Sequence, residues 1–323
     1  MRCVCLVLSV LLALPAAAGE KSRPVQQVII SFDGAHDNAQ WERSLKLAAE
    51  TGARFTYFLS CVFLLSRETR SVYRAPSVAS ARSNVGFAES RDDVAARLGH
   101  VWRAHLSGHE IASHGCGHFD GAGWSKTDWL AEFDAFSDVV TRAWEVNGIK
   151  GEPEGWRTFA ASASSSGFRA PYLATGEGLF AALAERGFSY DASTVSRGPA
   201  KPSREGAVTR FSLPLVPEGP SARRVIAMDY NLFVRHSAGL ENAGRAAEFE
   251  ERAYAAFRAA FDAQYEGERI PLQLGFHFTL MNGGAYWAAL ERFAREVCVL
   301  KDVACIPYRD AVEDGVEQAT HGG

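Results

Sequence analysis

Two histidines four residues apart, His114 and His118, lie in the stretch H-E-I-A-S-H-G-C-G-H-F-D from His109 to Asp120. Imidazole is the commonest metal ligand, and zinc or a similar borderline ion needs several such donors at about 2.0–2.3 Å. A four-residue spacing can bring two rings to one ion from a helix face. Gly115 and Gly117 instead favour an irregular loop, where glycine gives the backbone freedom to turn both rings inward. The bland alternative is a chance pair of loop histidines, so other residues must decide. Those of chemical interest follow apolar runs: Asp33 after Val28 to Phe32, Arg169 after Phe168, Asp191 within Phe188 to Ser193, and His277 at the end of Pro271 to His277. An acid at the carboxyl end of a buried strand sits where α/β folds place chemistry. Arg169 is a candidate for orienting a carboxylate, because its fork matches carboxylate geometry.

Strands and helices in alternation must position these groups. The Val28–Phe32 strand is followed by a helix with Trp41, Leu45 and Ala48 at helical spacing, stopped by Gly52, and then by an alternating strand from Arg54 to Cys61. Strand–helix–strand implies a parallel sheet. Residues 67–84 read as a long loop. Ser90 to Asp93 and Ser125 to Asp128 resemble capping boxes that open two helices, the second with a Trp129, Phe133, Phe136, Val140 face that belongs in a core. Asn147 to Ser166 reads as a connection. Later elements are a Leu179–Arg186 helix, a short Phe211–Val216 strand, and an Arg224–Tyr230 strand ending in Asp229-Tyr230-Asn231. An Ala246–Tyr265 helix, a Tyr286–Val297 helix and an Ala304–Ile306 strand follow. The alternation repeats seven or eight times, and in a (β/α) barrel every strand-end residue named above would converge on one face.

Composition sets bounds. A chain of 323 residues with 47% hydrophobic content can bury a large core. Its net charge of −4 and pI near 6.2 give no reason to expect nucleic acid or an anionic membrane as partner. No segment after the N-terminus has the ~18 consecutive apolar residues of a membrane span. Met1-Arg2, the apolar Val4–Leu14 run and Ala16-Ala17-Ala18 have the form of a signal peptide cleaved after Ala18. A secreted or periplasmic protein is therefore expected, with residues 19–323 as one domain. Cys61, Cys116, Cys298 and Cys305 would remain, enough for two disulfides in three possible connectivities. Closeness in sequence favours Cys298–Cys305; Cys61 and Cys116 follow strands expected to be neighbours.

Taken together, Ser31-Phe32-Asp33, His114-Gly-Cys-Gly-His118, Arg169-Ala-Pro-Tyr172, Tyr190-Asp191-Ala-Ser193 and Phe276-His277 resemble, in this order, the polysaccharide deacetylase family (carbohydrate esterase family 4). The resemblance spans essentially the whole chain after the leader. It implies a distorted (β/α)7-8 barrel and a metal-dependent hydrolase that removes N-acetyl or related acyl groups from an amino-sugar polymer or oligomer. It also implies a divalent metal, zinc first, with Asp33, His114 and His118 as ligands. Asp33 would act as base, held by Arg169, and the Tyr172 N–H would stabilise the oxyanion. His277, positioned by Asp191, would be the acid. Gly34 stands where the family has a second, metal-binding aspartate, which leaves Asp33, His36 or Asp37 as the third ligand. Thr194 and Val195 stand where a tryptophan is usual. Gly275 replaces a leucine that walls the acetyl pocket and would widen it. The alternatives are an inactive carbohydrate-binding protein on the same barrel and a metal-independent C–N hydrolase.

Overall fold

The computed structural model describes residues 23–321, with side chains through residue 314. The expected leader, residues 1–18, lies outside the described residues. The strands are β1 (Gln26–Gly34), β2 (Thr56–Leu59), β3 (Glu110–Ser113), β4 (Gly167–Phe168), β5 (Tyr190–Ser196), β6 (Ser203–Glu205), β7 (Val208–Glu218), β8 (Arg223–Ile226), β9 (Leu272–His277) and β10 (Val303–Cys305). The helices are α1 (Asn38–Thr51), α2 (Arg91–Leu106), α3 (Lys126–Val146), α4 (Trp156–Ala163), α5 (Glu177–Arg186), α6 (Asp229–Ser237), α7 (Ala246–Glu266), α8 (Ala285–Val297) and α9 (Tyr308–His321).

Seven strands pair in parallel in the order β9-β1-β2-β3-β4-β5-β7 and curl into a distorted barrel. β6 and β8 pair antiparallel with β7, and β10 extends the lower end of β1. The gap between β7 and β9 is not closed by a ladder. It is bridged where Ala227 N–H donates to Pro214 O and Gly275 N–H donates to Ala227 O, with Gln273 Nε2 reaching Ser212 O at 2.9 Å. β1 is buried almost throughout, as a strand covered on both faces requires, and its upper half is held by β2 on one side and β9 on the other.

Local chemistry sets the helix starts. Ser125 and Asp128 form a reciprocal capping box on α3, whereas at α2 the Ser90 side chain accepts from Asp93 N. Asp37 caps α1 by accepting from Gln40 N at 3.0 Å. Two sequence expectations change. The 147–166 connection contains α4, whose Trp156, Phe159, Ala160 and Ala163 are buried. The strand expected to reach Tyr230 stops at Ile226, and Asp229 is the first residue of α6. Both expected disulfides form: Cys298–Cys305 with Cα atoms 5.4 Å apart, and Cys61–Cys116 at 4.4 Å. Among the described residues no helix is long and apolar enough to cross a membrane.

Candidate active site

Asp33, at the carboxyl end of β1, is nearly fully buried and meets Arg169, which follows β4. Arg169 Nη1 donates to Asp33 Oδ1 at 2.8 Å and to Ser31 Oγ at 2.8 Å. Its Nε reaches Ala192 O at 3.1 Å and its Nη2 the Tyr308 hydroxyl at 2.8 Å, so the guanidinium is fixed on three sides. Burial alone would raise the Asp33 carboxyl. The Arg169 guanidinium, with His277, outweighs burial and holds it below the ordinary carboxylate range. Deleting either partner would leave a buried charge alone, at a cost of about 3–5 kcal/mol.

His114 and His118 leave β3 into the loop, with ring centroids 5.1 Å apart. His114 Nδ1 lies 2.7 Å from Arg169 O, an arrangement that places the proton on Nδ1 and leaves Nε2 as an acceptor. Among the described residues, that Nε2 is buried without a partner, and so is His118 Nδ1. Burial pushes the His114 imidazole down to about 3 and lowers His118 as well. Two neutral, partnerless imidazoles are a donor pair that suits a divalent ion. Among the described residues, no three His, Cys, Asp or Glu groups stand ready to close around an ion. Asp33, the expected third donor, has one oxygen committed to Arg169. Asp37 is committed as the α1 cap, and His36 lines a cavity of about 200 Å³ together with Asp33, His118 and His277. Gly34 has φ +84°, a left-handed conformation that an aspartate there would adopt only under strain.

The ligand loop is held from below by a residue the sequence did not mark. Glu132, buried in α3, accepts from Cys116 N–H at 2.7 Å, from Gly117 N–H at 3.3 Å and from the Tyr73 hydroxyl at 2.8 Å. Burial raises its pKa. In sequence it reads as one more acid on a long helix. Its position between Trp129 and Phe136, on the helix face that packs inward, was the available signal.

His277 ends β9 directly opposite Asp33 on β1. The expected role of Asp191 is corrected here. The carboxylate that holds His277 is Asp229: Oδ1 lies 2.6 Å from His277 Nδ1, and Oδ2 accepts the His277 backbone N–H at 2.7 Å. Burial opposes charge on His277, but Asp229 at hydrogen-bond distance and Asp33 beyond it raise its pKa above the ordinary value. Asp191 points elsewhere because β5 turns its carboxylate toward Arg210 at 3.3 Å and Ser193 Oγ at 2.5 Å. Ser193 Oγ in turn accepts the Ala170 N–H at 2.8 Å, so Asp191 supports the Arg169–Tyr172 segment and not the acid.

Tyr172 sits at the crest of that segment with φ 58°, and its ring, 59% exposed, packs edge-on against His118 at 4.6 Å. The turn is closed by Leu173 N–H to Ala170 O and Ala174 N–H to Pro171 O, without the Tyr172 N–H. A left-handed non-glycine residue at a site mouth is strain of the kind that clusters where function requires it.

These groups line one cavity of about 490 Å³. Asp33, His114, His118 and His277 form its polar floor, and Leu173, Val195, Ile226 and Met228 are among its apolar walls. Gly275 does not widen it, contrary to the sequence reading. A Cβ at Gly275 would stand 2.7 Å from Met228 Cε, so the Met228 side chain already occupies the space a leucine would fill.

No protein-family model matches the chain, and no curated protein matches it. Solved structures do. A protein from Mycobacterium smegmatis described as a polysaccharide deacetylase superposes with a TM-score of 0.56 at 19% identity, covering 95% of this chain and 96% of that one. One from Pseudomonas aeruginosa with the same description gives 0.53 at 17%, covering 89% of each chain. The chain has the polysaccharide deacetylase fold. An allantoinase shares this fold at a TM-score of 0.50 and 17% identity, over 94% of this chain and 97% of that one. Related scaffolds therefore carry different reactions, and the reaction must be argued from the site.

Proposed function

We propose that the chain is a hydrolase of amide C–N bonds that removes an N-acetyl or related small acyl group from an amino-sugar polymer or oligomer. The observation that carries this reading is the pairing of two oppositely poised groups across one cavity. Asp33 is kept ionised by Arg169, and His277 is kept protonatable by Asp229. Such separation of a base from an acid is what hydrolysis of a stable amide requires.

His114 and His118 would hold a divalent ion, zinc first, with Asp33 as the carboxylate that couples electrostatically to both rings. When bound, the ion would lower the pKa of a water and polarise the acyl carbonyl. Asp33 accepts the proton of the attacking water while Arg169 fixes its orientation. The Tyr172 N–H, which the turn leaves unused, would donate to the developing oxyanion. His277 delivers a proton to the amine as the C–N bond breaks, leaving a carboxylate and a free amino group. The two disulfides support an exported protein, because such bonds persist in oxidising compartments.

The test is release of acetate from N-acetylated chito-oligosaccharides by purified protein, with elemental analysis of the same sample. Turnover that is lost on chelation and restored by a divalent ion is the expected result. Saccharide binding with no acyl release under any metal would overturn the hydrolase reading in favour of a binding protein.

A further inference from the structure

A second cavity of about 700 Å³ adjoins the catalytic one and shares Ile226, Tyr230 and Asn231 with it. Its distinctive feature is charge. Arg223, Arg224 and Arg235 line it, and among the described residues no acidic side chain does. In a chain of net charge −4 this is a local reversal of sign.

Two of the three guanidinium groups, those of Arg224 and Arg235, are held by backbone carbonyls, and among the described residues none of the three pairs with a carboxylate. Arg235 donates to the carbonyls of Arg223 at 3.4 Å and Arg224 at 3.0 Å, while Arg224 donates to Arg197 O and to Leu215 O at 3.3 Å. A carbonyl orients a guanidinium but leaves its unit charge in place. The nearby carboxylates are engaged elsewhere: Asp191 and Glu205 with Arg210, Glu218 with Arg252 and His236, and Asp229 with His277. Elsewhere on the surface the arginines usually meet an acid, as Arg43, Arg142, Arg258 and Arg292 do. Oriented, unneutralised forks beside a reaction cavity match a planar anion such as a carboxylate or phosphate. Tyr230, 53% exposed and 6.2 Å from the His277 ring, stands at the junction and offers an apolar face to a sugar ring on its way between the two cavities.

We propose that this groove is an anionic subsite, and that the substrate is a glycan carrying a carboxylate or phosphate substituent close to the acylated amino group. This rests on the amide-hydrolase reading and narrows its substrate class. A free anionic lipid surface or a nucleic acid fits less well, because three charges in a concave groove next to the reaction cavity would engage one substituent and not an extended charged surface.

The experiment compares KM for three N-acetylated oligosaccharides of equal length: neutral chitotetraose, one bearing lactyl carboxylates and one bearing phosphate esters. At low salt, KM for at least one charged glycan should fall below that for the neutral one by on the order of tenfold, which is what a few exposed ion pairs can supply. The advantage should shrink as salt is raised. Whichever anion is preferred identifies the substituent. In the R223Q/R224Q/R235Q protein, checked for folding by its Tm, the ratio should approach one, and R224K/R235K should retain most of it. A ratio near one in the unmodified protein at low salt would overturn the subsite. So would binding to phosphatidylglycerol vesicles or to a single-stranded oligonucleotide that depends on these arginines without any glycan preference. Calorimetric titration with the de-N-acetylated lactyl and phosphate oligosaccharides reads the groove independently of turnover. Binding that the triple variant loses upholds the subsite even if no glycan is hydrolysed. Failure of both to bind overturns it even if chitotetraose is.

Discussion

Asp33 and His277 stand opposite each other as register partners on β1 and β9, so one strand pairing puts the candidate base and the candidate acid on the same rung of the barrel. Each is then tuned by a residue from elsewhere, Asp33 by Arg169 and His277 by Asp229.

The first prediction separates Asp229 from Asp191. His277 acts as an acid in its protonated form, and its folded pKa is raised, so activity holds below that pKa and is lost as pH rises through it. Asp229→Asn removes the main raising charge. The alkaline limb of kcat/KM should move to lower pH, with turnover reduced by roughly 10²–10⁴ as for a disabled general acid. Asp191→Asn should lower Tm and leave the position of that limb where it was. A pH–rate profile of both variants decides, and the assignment fails if Asp191→Asn is the one that shifts the limb.

His114→Ala should abolish stoichiometric binding of a divalent ion while the protein remains folded, because its Nε2 and His118 Nδ1 are the two imidazole nitrogens buried without a partner among the described residues. Elemental analysis and circular dichroism check this. Undiminished metal content in a folded variant would remove His114 from the donor set.

Met228 and Gly275 should behave as one unit. Gly275→Leu alone should destabilise, since a leucine there must displace the Met228 side chain, whose Cε and Cγ lie 2.7 and 3.4 Å from the Cβ position. Met228→Ala alone removes a buried side chain, at about 2–5 kcal/mol, and should raise the preference for N-butyryl over N-acetyl substrates. The double variant should recover stability beyond the sum of the two changes, as expected for residues in contact. Additive changes in Tm would show that the two do not share the space.

Glu132→Ala leaves the N–H groups of Cys116 and Gly117 without their carboxylate acceptor inside the fold. The Cys116 N–H is then orphaned, at a cost of about 1–3 kcal/mol, while the Gly117 N–H keeps the Tyr73 hydroxyl at 3.0 Å. Because the same N–H groups shape the loop between His114 and His118, metal affinity should fall by more than Tm alone suggests, on the order of the 10–100-fold seen when supports of ligands are removed. Titration with a competing chelator reads it, and unchanged affinity in the variant would make Glu132 a purely structural residue.

Much of this was legible before any tertiary information. The continuous apolar run into Asp33, the capping residues Ser90 and Ser125, the alternation of strand and helix and the Cys298–Cys305 pair depend on local preference, period and chain proximity, which are written in order along the chain; the Cys61–Cys116 pair followed from the expected neighbouring of their strands. The convergence of Asp33, His114, His118, Arg169 and His277 followed from one rule, that parallel strands deliver their carboxyl ends to one face. What only the folded chain decided lies at the barrel's irregular closure. Asp229 became the partner of His277 because β8 ends early and α6 begins on Asp229, 48 residues before the histidine it holds. Met228 fills the space above Gly275 for the same reason: the β7–β9 gap is bridged by single backbone bonds and not by a ladder. Glu132 turned inward on a helix whose acids otherwise read as solvated. Pairings of this kind arise from where a sheet stops being regular, and periodicity carries no information about where that happens.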